Sequence, residues 1–171
     1  MRLATKRDFD SIFAIMEQSF PRDEYRSREG QQALFDNDNY SCYVFENEAG
    51  ELIAFVSVWQ IEGYIFVEHL AVAKACRGSG IGGKLLQELM LRYSLPLCLE
   101  VELPENELCR RRIAFYERHG FYYNDYPYVQ PAFSATQAPV PLRIMTTAAP
   151  LNPSEFSALQ KIIYKEIYHQ C

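Results

Sequence analysis

The segment from Leu70 to Leu86, LAVAKACRGSGIGGKLL, constrains this chain more than any other. An apolar strand runs into an arginine, then into Gly78, Gly80, Gly82 and Gly83, and then into a helix. Glycines without Cβ atoms let a phosphate approach the main chain, and the helix that follows presents unpaired N–H groups at its positive end. The surroundings agree in charge. Between Lys74 and Arg92 four bases (Lys74, Arg77, Lys84, Arg92) face one acid, Glu88, although the whole chain carries a net charge of −5. A small anionic ligand fits that local balance. A nucleic acid does not, because its binding needs a broad basic face.

The chain has 171 residues, 49% of them hydrophobic, which suits one domain with a substantial core. No apolar run approaches the roughly 20 residues needed to span a bilayer, and MRLATKRDFD lacks the apolar segment of a secretory signal. The expectation is a cytoplasmic protein without a membrane partner. Cys42, Cys76, Cys98, Cys109 and Cys171 form no CxxC or Cys/His cluster. Reduced thiols are expected, with no disulfide framework and no metal site.

Periodicity predicts the order of elements. A short strand ends at Leu3 and Ala4, and Thr5 with Asp8 resembles a capping box before a helix bearing Phe9, Ile12, Phe13, Met16 and Phe20. Pro21 closes that helix, and Ser27 to Phe35 supplies a shorter second one. Tyr40 to Phe45, Leu52 to Trp59 and Tyr64 to Val72 read as an antiparallel meander, separated by the turn signals NEAG and IEG. After the glycines come a helix on Ile81, Leu85, Leu89 and Tyr93 and a strand over Leu97 to Val101; strand, helix, strand implies a parallel crossover. Pro104 and Glu105 suit a helix start and Gly120 its stop. Asn124 to Pro139 reads as irregular loop, and Val140 to Met145 as the last strand. Asn152 and Pro153 start a terminal helix with Phe156, Leu159, Ile163 and Ile167 on one face, to be buried at the sheet edge or in a homodimer contact.

Two readings of the glycines compete. Gly78, Gly80 and Gly83 satisfy GxGxxG, and Glu100 ends the following strand, where a dinucleotide fold places its ribose-binding acid. In that fold, however, the first glycine turns directly off the strand. Here Ala73 to Arg77 intervene after Val72, and a meander precedes the unit. The same residues also read as Leu70-x-Val72 followed by Arg77-x-x-Gly80-x-Gly82, and IAFYERHGF follows at Ile113 to Phe121. These two blocks, in this order, resemble the signature of the GCN5-related N-acetyltransferase (GNAT) superfamily, over about Arg2 to Met145.

The resemblance implies a mixed α/β fold: a mostly antiparallel central sheet with splayed parallel strands, flanked by helices. A GNAT-like domain would cover residues 1–148, with residues 149–171 as a helical extension. It implies transfer of an acetyl group from acetyl-CoA to a primary amine of a small molecule or peptide, by direct attack. Cofactor contacts are implied for Leu70, Ala71, Val72, Arg77, Gly78, Ser79, Gly80, Ile81, Gly82, Gly83 and Tyr116. Tyr116 would protonate the departing thiolate. Seven residues before it, where the family often has Asn, stands Cys109, with Asn106 one turn away.

The attacking amine needs a base, for which Glu68 and Glu100 are candidates; each lies in an apolar strand, where burial raises a carboxylate's pKa. A water relay is the alternative. Strand alternation puts His69 on the face opposite Glu68 and Leu70. The family's acceptor pocket maps to PRDEYRS and to Tyr122, Tyr123, Tyr126 and Tyr128, which suit a cation, while Arg22 and Arg26 suit a substrate carboxylate. A non-catalytic acetyl-CoA-binding module and a NAD-dependent oxidoreductase remain the competing functions.

Overall fold

The computed structural model describes residues 1–170; Cys171, one of the expected thiols, lies outside the described residues. Strand β1 (Arg2–Leu3) leads through a 3₁₀ turn into helix α1 (Phe9–Glu17), and Thr5 and Asp8 form the reciprocal cap expected of them. Helix α2 (Arg28–Ala33) starts where the Ser27 side chain accepts the N–H of Gly30. The meander is β2 (Tyr40–Glu46), β3 (Leu52–Ile61) and β4 (Tyr64–Val72). Helix α3 (Ile81–Arg92) crosses to β5 (Leu97–Glu102), and helix α4 (Glu107–Arg118) leads to β6 (Tyr122–Gln130), β7 (Val140–Thr146) and helix α5 (Pro153–Glu166).

The seven strands lie in the order β1-β2-β3-β4-β5-β7-β6. All neighbours are antiparallel except β4 and β5, which the α3 crossover makes parallel. Side-chain alternation along β3 feeds two cores: Phe55 and Trp59 meet α1 and α5 on one face, and Val56 and Val58 meet α3 and α4 on the other. The stripe of α5, Phe156, Leu159, Ile163 and Ile167, is buried in the first core.

Two local expectations are corrected. Asn124 to Gln130 is strand, not loop. Its residues are polar and include Pro127, but β6 is an edge strand, where a missing N–H is tolerated, and the pairing slips between Asn124 and Tyr128. Asn124 is buried and fastens that slip, donating to the Ile144 carbonyl (3.1 Å) and accepting from the Leu151 amide (2.8 Å). Helix α4 starts later than Pro104, because the Asn106 side chain caps it.

The parallel pair is short. It joins Ile65, Phe66 and Val67 to Leu97, Cys98 and Leu99, after which β4 stays with β3 and β5 with β7. The strands therefore part beyond Val67 and Leu99. At that point β4 carries a bulge: Val67 faces Val58 and His69 faces Ser57, so Glu68 is the extra residue.

Candidate functional site

The parted strands open a cavity of about 460 Å³ that reaches both faces of the sheet. On the α3 side it is bounded by the glycine loop. Gly78 and Gly80 have φ of 81° and 82°, and a Cβ on either would point into open space. These conformations strain any other L-residue, so the glycines shape the loop and leave its front clear. Gly80 caps α3, whose first internal bond is Lys84 N–H to Gly80 C=O (3.1 Å). The earlier N–H groups have no partner within the helix.

Gly82 and Gly83 have a different cause. A Cβ on Gly83 would lie 2.5 Å from His119 Nε2, and one on Gly82 would lie 3.4 Å from Phe115 Cζ. They let α3 approach α4 closely. Arg77 ties the loop down: its Nε donates to the Val72 carbonyl (3.1 Å) and its guanidinium to Ser19 Oγ (3.1 Å). Ser79 Oγ donates to the Cys76 carbonyl (2.6 Å), and Ile81 is buried at the start of α3. The amide of Ala73 points to β3, where it meets the Ile53 carbonyl (2.8 Å). Alternation then turns the peptide groups of Leu70 and Val72 toward the cleft, with Ala71 between them.

Tyr116 lines the same cavity from α4, its ring held between Phe115 and Phe121 at centroid distances of 5.2 and 5.5 Å. Burial pushes its hydroxyl up to about 12. Asn106 does not reach into the cleft: its Oδ1 accepts the Cys109 amide (2.9 Å) as the α4 cap. Of the run of three consecutive arginines on α4, Arg110 donates to the Pro104 carbonyl, Arg111 pairs with Glu107, and Arg112 pairs with Glu102 at the cavity wall.

The α1 side of the cavity is acidic, with Glu24, Glu68, Glu100 and Glu102 in its wall. Glu68 departs from the sequence expectation. Burial alone raises its carboxyl, but Arg26 at 2.5 Å and the neighbouring His69 together outweigh it and hold the group at about 2. Arg26 is itself fixed, donating to the Ile167 carbonyl (3.2 Å) and lying over the rings of Trp59 and Phe133. Glu100 behaves as expected: burial, only partly offset by hydroxyls from Tyr128 and Tyr168, raises it to about 7.

His69 corrects the alternation argument. Because Glu68 is the bulged residue, both side chains face the α1 side, with Nδ1 of His69 3.5 Å from Glu68 Oε2 and its Nε2 3.0 Å from the Glu24 carbonyl oxygen. At 3.5 Å the imidazole does not satisfy Glu68 Oε2, which is buried without a hydrogen-bond partner. Glu24 was missed as an individual residue. It sits in a 3₁₀ turn, Arg22–Glu24, and burial next to Glu102 raises it to about 7. Its only sequence cue is an acid just after Pro21, in a segment with no periodicity. The tyrosines expected at an acceptor pocket divide: Tyr128 reaches Glu100, Tyr126 donates to the Leu151 carbonyl, and Tyr122 is exposed.

Residues 38–123 match the family model described as acetyltransferase (GNAT) domain. The chain belongs to the GNAT family. YjbC, a candidate acetyltransferase of Bacillus subtilis (strain 168), is 32% identical over 104 residues, which cover 60% of this chain. The match takes in 52% of YjbC, so the chain spans about half the length of that curated relative. A GNAT-family structure from Bacteroides thetaiotaomicron superposes with a TM-score of 0.89 at 26% identity, covering 99% of this chain and 98% of that one. The ribosomal-protein-S18-alanine N-acetyltransferase of Escherichia coli shares the fold, with a TM-score of 0.63 at 18% identity over 88% of this chain and 94% of that one. The GNAT sheet explains why GxGxxG misleads here. A dinucleotide fold needs a mostly parallel, doubly wound sheet, and this one has a single parallel pair among the described residues.

Proposed function

We propose that the chain transfers an acetyl group from acetyl-CoA to a primary amine. The observation that carries this reading is the cleft. The outward peptide groups of Leu70 on β4, the uncovered N-terminus of α3 and Tyr116 all border one cavity, with carboxylates on its other side. A CoA pyrophosphate suits the loop, since the space beside Gly78 and Gly80 is open and the N-terminus of α3 follows directly.

When bound, acetyl-CoA supplies an acetyl group activated as a thioester. The amides from Gly78 to Gly82, Ser79 and Ile81 among them, hold the pyrophosphate, Arg77 braces the loop, and Gly83 contributes by letting α3 seat against α4. The main chain of Leu70, Ala71 and Val72 orients the pantetheine arm as an added strand would. The Leu70 amide is the donor available to the acyl oxygen. A primary amine of pKa ~10 is protonated at neutral pH and must lose a proton before it attacks. Glu100 and Glu24, each at about 7, take that proton; Glu68, held low by Arg26, is unsuited. Tyr116 stays protonated at neutral pH and gives its proton to the departing thiolate.

Cys42, Cys76, Cys98 and Cys109 are free, which supports a reducing compartment such as the cytoplasm. No helix among the described residues is long and apolar enough to cross a membrane.

Thermal melting with acetyl-CoA, NAD and NADP tests the donor. At 100 times its dissociation constant a ligand stabilises by ~2.7 kcal/mol, several degrees for a domain of this size. Acetyl-CoA is expected to shift the melt and NAD is not; the reverse result overturns the reading. Release of free CoA thiol with a panel of amines tests the reaction. Stabilisation by acetyl-CoA without thiol release from any amine points instead to a binding module.

A further inference from the structure

The acidic half of the cavity is unevenly neutralised. Two of its four carboxylates have a cation: Glu68 has Arg26, and Glu102 has Arg112. Glu100 has only the hydroxyls of Tyr128 and Tyr168, and the Glu24 carboxylate makes no hydrogen bond or ion pair among the described residues. A further polar atom is left over, since Glu68 Oε2 is buried without a hydrogen-bond partner in a side chain only 4% exposed.

The basic groups nearby are all engaged. Arg26 is clamped by Glu68, the Ile167 carbonyl and two aromatic rings. Arg22 lies over the Tyr25 ring and donates to its carbonyl (2.6 Å). A carboxylate on the acceptor would find no free cation there, and it would lie beside Glu24 and Glu100, neither of which has one.

A monoamine leaves the same site unsatisfied. Its single charge disappears when it is deprotonated for attack, and one carboxylate suffices to take that proton. The second unpaired carboxylate then has no cation to meet. Resting on the acetyl-transfer reading above, we propose that the acceptor is an aliphatic amine carrying a second positive charge and no carboxylate, with one of Glu24 and Glu100 receiving the reacting nitrogen's proton and the other pairing with the charge that persists.

Three probes of similar length separate the alternatives: 1,4-diaminobutane, n-pentylamine and 4-aminobutyrate. Acetyl transfer to 1,4-diaminobutane is expected to exceed that to n-pentylamine by about tenfold in kcat/KM, as expected for one partly buried charge pair worth about 1.4 kcal/mol. Transfer to 4-aminobutyrate should be lower still. Binding is measured beside turnover, as the melting shift each amine adds to the protein with CoA. The diamine should stabilise and 4-aminobutyrate should not. Glu24→Gln should shrink the preference for the diamine over n-pentylamine. Equal responses to the three probes, no response to the diamine in either measurement, or preference for 4-aminobutyrate overturns the proposal. Absence of any shift with acetyl-CoA overturns the acetyl-transfer reading itself, so the two failures are distinguishable.

Discussion

Tyr116 combines three properties: a wall position in the cleft, a ring fixed by Phe115 and Phe121, and a hydroxyl kept protonated by burial. Tyr116→Phe should keep the packing and acetyl-CoA binding while lowering kcat by ~10²-fold, the lower range for an acid–base group. An unchanged steady-state rate removes the hydroxyl from the mechanism. Gly83 makes a different kind of contribution. A methyl there collides with His119, whose ring is restrained by its Nδ1 contact to the Phe115 carbonyl oxygen (2.7 Å) and by the Phe115 ring. Gly83→Ala should therefore cost about 1–2 kcal/mol despite alanine's better helix propensity. Adding His119→Ala should recover that loss in denaturant unfolding, because it removes the obstructing atom. Both glycines after Ile81 were read from sequence as phosphate contacts. Periodicity cannot show that a neighbouring helix presses on one of them.

Among the elements, the segment that follows α5 does more than close the core. It carries Tyr168 to Glu100, with the hydroxyl 2.8 Å from Oε2. Losing that donor raises the proton affinity of the carboxylate further. Tyr168→Phe should move the acidic limb of the kcat/KM profile upward by about one pH unit, the size of one hydrogen bond to a charged group. Tyr164→Phe, which loses a bond to the Val129 carbonyl instead, should leave that limb in place. If Tyr168→Phe also leaves it in place, Glu24 and not Glu100 is the base. The β4 bulge is the second decisive element feature. One extra residue at Glu68 brings Glu68 and His69 to the same face, against the strict alternation that the apolar pattern of YIFVEHLAV suggests. The irregular reading holds for residues 131–139 and fails over Asn124 to Gln130 for a related reason: β6 is held by the Asn124 side chain and by pairing with β7, neither of which leaves a period-2 apolar signature.

At the scale of the molecule, the cleft acids are costly to ionise. Glu24 and Glu100 keep a proton in the folded chain up to about 7 but release it near ~4.3 when unfolded. Between those values the folded state binds more protons, so stability falls as pH rises. Glu68 acts oppositely. Its folded value of about 2 gives stability that is present above ~4.3 and is lost as pH drops toward 2. The melting temperature should therefore peak near pH ~4–5 and decline by several degrees toward pH 7.5. Glu100→Gln should flatten that decline, which melts at a series of pH values will show.

What the residues determined by themselves is local and repetitive: the helices with their caps, the meander, the crossover, and the loop where Gly78 and Gly80 take positive φ. Such features depend on neighbours in the chain, so the glycine-rich stretch and IAFYERHGF already pointed to the family. Only the tertiary structure decided which acids hold a proton near neutral pH. The proton affinity of a carboxylate depends on what faces it across space, and the partners come from distant segments: Arg26 to Glu68, Tyr128 and Tyr168 to Glu100, and Glu102 beside Glu24.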